Sequence, residues 1–201
     1  MRKNALKYAG GLIALIALAF LVAGSCSAAE FSADVIQKGR GEILSGKLYV
    51  KAAKVRKEIV SGGRKEIVIY RPDQKAVLLL YPGRKTYMTV SDRIISGLDD
   101  PSARARLKKI STVKHLGNEK INGYVCARTQ WVTRGTSPLT LTEWYSKKLD
   151  RVIKIEMKTR FETSLIECRN IKEGGVSSTL FDLPRGYKKI ATPTPPPPDQ
   201  R

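Results

Sequence analysis

The chain has 201 residues, which suits one domain with appendages rather than two full domains. Hydrophobic residues make up 42% and aromatics 7%, enough for one core, and this excludes a chain disordered throughout. Lys and Arg number 37 against 18 Asp and Glu, a net charge of +19, which points toward an anionic partner such as nucleic acid, a membrane surface or an acidic polymer.

The N-terminus reads as an export signal. Arg2, Lys3 and Lys7 form a positive segment, Leu12 to Ala23 is unbroken apolar sequence, and Ser27-Ala28-Ala29 offers small residues for cleavage after Ala29. Residues 1–29 are therefore read as a signal peptide. With those three positive charges removed from +19, the mature chain still carries +16. Two other readings stay open. Ala23-Gly24-Ser25-Cys26 resembles a lipobox and would lipidate Cys26. The apolar stretch from Tyr8 to Ala29 is also nearly long enough to span a bilayer uncleaved. Export places the chain in the bacterial envelope, in the periplasm or on a lipid anchor, and removes nucleic acid from the partners. Phospholipid head groups, lipopolysaccharide and acidic envelope proteins remain.

Phe31 to Lys38 is short and mixed, a first helix or an entry strand. From Gly41 on, Glu42–Val50, Lys54–Val60, Glu66–Arg71, Ala76–Tyr81 and Thr86–Val90 are short runs rich in Val, Ile, Leu and Tyr. Ser61-Gly62-Gly63, Arg71-Pro72-Asp73 and Tyr81-Pro82-Gly83 punctuate them about every ten residues, the rhythm of an antiparallel sheet. Ser91 to Leu116 is expected to be helical, with Asp100 as N-cap, Pro101 at the first turn and strong helix formers from Ala103 to Ile110. Asp99 and Asp100 fit capping better than acid–base work, since adjacent helical positions do not face each other. Sheet character returns at Ile121–Thr133, Leu139–Ser146, Arg151–Lys158 and Thr163–Ile171. In the third run Ile153, Ile155 and Met157 point one way and Lys154, Glu156 and Lys158 the other. The domain is expected over residues 30–190, and the Pro-rich 191–201 as a polyproline II tail.

Catalytic patterns are scarce. His115 and Cys126 lack a third orienting group, one His and two distant Cys do not reproduce zinc spacing, and Gly39-Arg40-Gly41 lacks the strand-to-helix context of a phosphate loop. No enzyme activity, cofactor or metal is expected. Trp131 and Trp144 fit a sheet face or core better than a ligand-stacking role. Cys126 and Cys168 form an even pair in an oxidising compartment, which invites a disulfide. A plain meander would hold them too far apart, however, unless the sheet curves strongly. If it does curve, its concave face encloses either an apolar cavity or a filled core. Candidate lining residues, by alternation, are Leu48, Val50, Ile67, Ile69, Val77, Leu79, Ile153, Ile155 and Met157.

Several stretches carry a resemblance: Gly46-Lys47-Leu48-Tyr49-Val50-Lys51, Val55-Arg56-Lys57-Glu58, Arg71-Pro72-Asp73 before Ala76–Tyr81, Ile121-Asn122-Gly123-Tyr124, Glu143-Trp144-Tyr145-Ser146 and Leu180-Phe181-Asp182-Leu183-Pro184-Arg185-Gly186-Tyr187. In this order, over roughly Phe31 to Ile190, the chain resembles the LolA/LolB-like periplasmic proteins, and among them the domain-of-unknown-function group DUF4412. The resemblance implies an α+β fold, mostly antiparallel β: a half-open curved β-barrel with a helical lid that binds lipid chains or lipidated protein. It also implies an arginine that holds the lid soon after the Gly-x-Leu-aromatic-Val strand. Here that position reads Lys51-Ala52-Ala53, and the nearest arginine, Arg56, stands in a different register. The function expected is non-enzymatic binding of lipid or lipidated protein in the periplasm. The alternative is a basic adaptor with a filled core, docking on anionic membrane or on a protein partner.

Overall fold

The computed structural model describes residues 29–39, 41–91 and 107–191. In chain order the strands are β1 (Glu30–Gly39), β2 (Glu42–Lys51), β3 (Lys54–Ser61), β4 (Arg64–Arg71), β5 (Ala76–Tyr81), β6 (Thr86–Ser91), β7 (Ser111–Ile121), β8 (Tyr124–Thr133), β9 (Thr140–Ser146), β10 (Arg151–Lys158), β11 (Thr163–Glu173) and β12 (Lys188–Lys189). All twelve form one sheet in the order β12-β6-β5-β4-β3-β2-β1-β11-β10-β9-β8-β7. Every ladder is antiparallel except β12–β6. The sheet does not close on itself. β1, left open as helix or strand, lies at its centre.

Local chemistry explains the hairpins. At Ile121-Asn122-Gly123-Tyr124 both central residues have positive φ, 48° and 91°, the two-residue turn that Asn-Gly favours. The expected run Ile121–Thr133 is therefore the last residue of β7, this turn and all of β8. Pro72–Gln74 and Pro82–Arg84 form matching 3₁₀ turns, each closed by a lysine in the left-handed region, Lys75 and Lys85. Gly46 marks a close approach of backbones. A Cβ there would lie 2.0 Å from the Glu58 carbonyl oxygen, so only glycine fits.

Among the described residues, α-helix is confined to 107–110. The expected helix from Ser91 to Leu116 is corrected at both ends: β6 includes Ser91, and β7 begins at Ser111, where Ser111-Thr112-Val113 supplies β-branched residues that suit an extended chain. The Asp100-Pro101 cap, the export signal with Cys26 and the Pro-rich tail from 192 onward lie outside the described residues.

Curvature is visible in contacts that skip strands. β8 and β11 stand three places apart, roughly 14 Å in a flat sheet. Yet the Asn122 side-chain amide, in the turn leading into β8, donates to Glu167 Oε1 and to the Cys168 carbonyl, both at 2.9 Å. The Tyr124 hydroxyl likewise reaches Glu173 Oε1 at 2.9 Å. The sheet curls tightly at this end.

A C-terminal strap, Gly174 to Ile190, folds back across β2 to β6. Phe181, fully buried, packs with Val176 onto Ile67, Ile69, Leu78 and Leu80, flanked by Tyr49, Tyr87 and Tyr187. Basic side chains hold its backbone. Lys51 Nζ donates to the Val176 carbonyl at 2.7 Å, Arg56 Nη1 to Leu180 at 2.9 Å and Arg71 Nη1 to Phe181 at 3.1 Å. Glu30 accepts from the Val176 N–H at 2.8 Å; that bond and neighbouring Lys51 hold its carboxyl below the usual range. Arg56 is thus a strap holder in this fold. Burial pushes its partner Glu58 upward, but Lys65 and Arg56 outweigh that and leave it below the ordinary carboxylate value.

A curved sheet with a packed apolar face and an open cleft

Residues opposite one another in a ladder project from the same face, so register sorts the expected lining. One row runs Phe31, Val50, Val55, Tyr70, Val77, Val90 across β1 to β6; the next runs Ala33, Leu48, Lys57, Val68, Leu79, Met88. Across β11 and β10 the same face continues through Val35, Cys168 and Ile166 to Ile155, with Met157 beyond. Leu48, Val50, Val77, Leu79, Ile155 and Met157 therefore share a face. Ile153, beside a register shift, joins their cluster. Ile67 and Ile69 do not. They oppose Leu80 and Leu78 on the reverse face, under Phe181. The reason is plain in Ile67-Val68-Ile69-Tyr70 and Val77-Leu78-Leu79-Leu80: both parities are apolar because both faces are covered, and alternation cannot choose between them.

Leu48, Val50, Ile67, Ile69, Val77, Ile153 and Ile155 are all buried, and Leu79 and Met157 partly so. One charged residue interrupts this packing. Lys57 is 2% exposed, and its ammonium donates to Gln37 Oε1 at 3.5 Å. Burial pulls its pKa down to about 8. Beside it, burial pushes the Cys168 thiol up to about 12 and raises Cys126 as well. Both cysteines are buried free thiols in this structure, and such thiols are poor nucleophiles.

His115 stands exposed on β7 rather than at a helix end. It opposes Thr129, with Nδ1 3.4 Å from the hydroxyl, whereas Cys126 opposes Glu119. The fold does not bring His115 and Cys126 together. Trp144 is buried, donates to Glu119 at 2.8 Å and lies under Lys154 and Arg128, 4.4 and 5.3 Å from the ring centre. Trp131 donates to Glu143 at 3.2 Å. Both tryptophans are sheet-face residues here. No cluster of three potential metal ligands occurs among the described residues.

An open cleft of about 870 Å³ lies where the sheet curls, away from all nine expected lining residues. Its lining is mixed: Tyr124, Val125, Ala127, Tyr145 and Ile171 supply apolar surface, and Asn118, Asn122, Lys147, Lys148 and Glu173 polar groups. Its tyrosines are fixed. Tyr124 donates to Glu173, which also pairs with Lys148 Nζ at 2.6 Å, and Lys148 lies 5.5 Å from the Tyr124 ring centre. Lys148 and Tyr124 together hold the Glu173 carboxyl below its usual range. Tyr145 donates to Asp150, and burial with this carboxylate pushes the phenol up to about 12. The two motifs Ile121-Asn122-Gly123-Tyr124 and Glu143-Trp144-Tyr145-Ser146 meet in this cleft. That meeting depends on curvature and is invisible in either motif alone.

Such a fold, one wide, curled antiparallel sheet with a C-terminal strap, defines a structural class with solved members. An uncharacterized conserved protein from Thermus thermophilus matches over 91% of this chain and 98% of its own, at 11% identity and a TM-score of 0.55. The Pseudomonas aeruginosa MucA/MucB complex contains a chain matched at 11% identity and a TM-score of 0.55, over 85% of this chain. The chain spans 58% of that protein's length. A LolA superfamily protein from Nitrosomonas europaea matches over 85% of this chain at 12% identity, with a TM-score of 0.37, too low to carry a fold assignment. No curated protein matches the sequence. The family described as a domain of unknown function, DUF4412, matches residues 35–152, and the chain belongs to it.

Proposed function

We propose that the protein is a non-enzymatic binder of lipid or of lipidated protein in the periplasm, built as a half-open barrel with a helical lid. The observation that supports this most is the open cleft. Its volume of about 870 Å³ lies in the range of small-ligand sites, Tyr124, Val125, Ala127, Tyr145 and Ile171 offer it apolar contacts, and Lys147 stands at its side to meet an anionic group, Lys148 being paired with Glu173. Such a ligand needs burial and one charge partner, with no reacting side chain. The test is titration with a fluorescent fatty acid. The parent protein should bind it saturably, and Ala127→Trp, which fills the cleft from an exposed position, should abolish binding while stability is retained. Retained binding in that variant moves the ligand elsewhere.

A second reading, a basic adaptor with a filled core that docks on a protein, draws on two observations. The expected lining residues are packed, and the structurally similar MucB was crystallised in complex with MucA(peri). This reading predicts no saturable uptake of the fatty acid.

A further inference from the structure

Antiparallel alternation sorts the loops into two ends. The tips β1–β2, β3–β4, β5–β6, β8–β9 and β10–β11, together with 107–110 ahead of β7, lie at one end. The apolar side chains most exposed in the β1–β4 and β10–β11 hairpins gather there: Phe161 at 80%, Ile43 at 68% and Val60 at 48%, joined by Ile110. Each of these tips also carries at least one exposed Lys or Arg, among them Arg64, Lys85, Lys109, Arg134, Lys158 and Arg160. Acids on the tips are few: Glu42, Glu66 and Glu162. The opposite end differs. There four basic residues are paired with carboxylates, Lys51–Glu30, Lys54–Asp73, Arg71–Asp182 and Lys148–Glu173, and Lys75, Lys120 and Lys147 stand exposed without one among the described residues.

We infer that the tip end is a docking surface for an anionic phospholipid bilayer. Exposed apolar side chains grouped on the neighbouring β3–β4, β1–β2 and β10–β11 tips, rather than scattered singly, mark a surface that something covers. A bilayer interface accepts Phe161, Ile43 and Val60 to shallow depth while the surrounding cations meet anionic head groups. Arg160, whose guanidinium lies 4.3 Å from the Phe161 ring centre, places a charge at the depth where the ring enters. A protein partner would need a shape to match, whereas separate tips spread along a curved rim suit a fluid plane. The inference stands apart from cargo binding, which the vesicle-free fatty-acid titration reads.

The experiment is co-sedimentation with vesicles of neutral phosphatidylcholine, and of the same lipid with phosphatidylglycerol added, over a salt series. The full-length gene is expressed with Cys26→Ser, so that no acyl anchor contributes, and the protein is purified from the envelope fraction. Binding should favour the anionic vesicles and weaken as salt rises. Ile43→Ser with Phe161→Ser should lose roughly tenfold or more, as should Arg64→Glu with Arg160→Glu, while Leu183→Ser, exposed on the strap at the far end, should bind like the parent. All of these positions are exposed, so the fold is preserved. Equal binding to both vesicle types, no vesicle binding at all, or an equal loss with Leu183→Ser would overturn the inference.

Discussion

Lys57 on β3 reaches across β2 to Gln37 on β1, its Nζ 3.5 Å from the amide oxygen, and Glu143 is the buried carboxylate farther along the same face, on β9. A buried ammonium with a neutral partner opposes folding. A pKa lowered from 10.5 to about 8 corresponds to a penalty of about 3 kcal/mol at neutral pH. The unfolded chain holds this proton up to about pH 10.5 and the folded chain loses it from about pH 8, so the Lys57 contribution to stability rises with pH across that window. Cys168, raised from 9.0 to about 12, acts in the opposite sense above pH 9. The difference between parent and Lys57→Met isolates the lysine. Lys57→Met should be the more stable by urea denaturation at pH 7, and its advantage should shrink toward pH 10.

Ile155 is 1% exposed and faces Ile166 and Glu143 across its two ladders. Ile155→Ala should cost about 2–5 kcal/mol, the range for a packed core, and Ile155→Trp about 1–3 kcal/mol or more from overpacking. Urea midpoints at constant m-value check both. A loss well below these ranges would mean that the space beside Ile155 is empty or occupied by ligand.

Phe181 ties the strap to β4 and β5. Phe181→Ala should cost about 3–5 kcal/mol and expose Ile67, Ile69, Leu78 and Leu80. Limited proteolysis should then cut within Gly174 to Ile190 before any strand of the sheet is attacked. Uniform digestion of the variant would show that the strap does not come away separately.

How far the fold is legible in the sequence depends on the element. β2 to β6 read clearly because β-branched and aromatic runs alternate with Gly and Pro turns at a short period. The start of β7 is obscured by the helix formers just before it, although Thr112 and Val113 carry a strand signal. The Asn122-Gly123 hairpin is present as a turn dipeptide inside what reads as one long run. Face assignment fails at Ile67 and Ile69 because the strap buries the second face, and a strap more than a hundred residues away leaves no trace in local alternation. The cleft is illegible for a similar reason. It forms only when Tyr124 and Ile171, distant in sequence and on strands that are not neighbours, are brought together by curling.

Processing after Ala29 would leave Glu30 as the first residue, already the first residue of β1 and bonded to the strap. Intact mass of the envelope protein should therefore begin at Glu30. The same spectra, taken after alkylation with and without denaturant, should show Cys126 and Cys168 unmodified when folded and both alkylated when unfolded. A mass beginning at Cys26 with acyl groups added would establish the lipoprotein route. A loss of two mass units without alkylation would establish a disulfide.

The central claim is that the protein holds an acyl chain in the cleft beside Tyr124 and Ala127. Its most direct test is vesicle-free titration of the parent protein with a fluorescent fatty acid, followed by displacement with unlabelled phospholipid. The account predicts one saturable, displaceable site that is lost in Ala127→Trp and retained in Ile43→Ser with Phe161→Ser. Non-saturable binding, or a saturable site unaffected by Ala127→Trp, would contradict it.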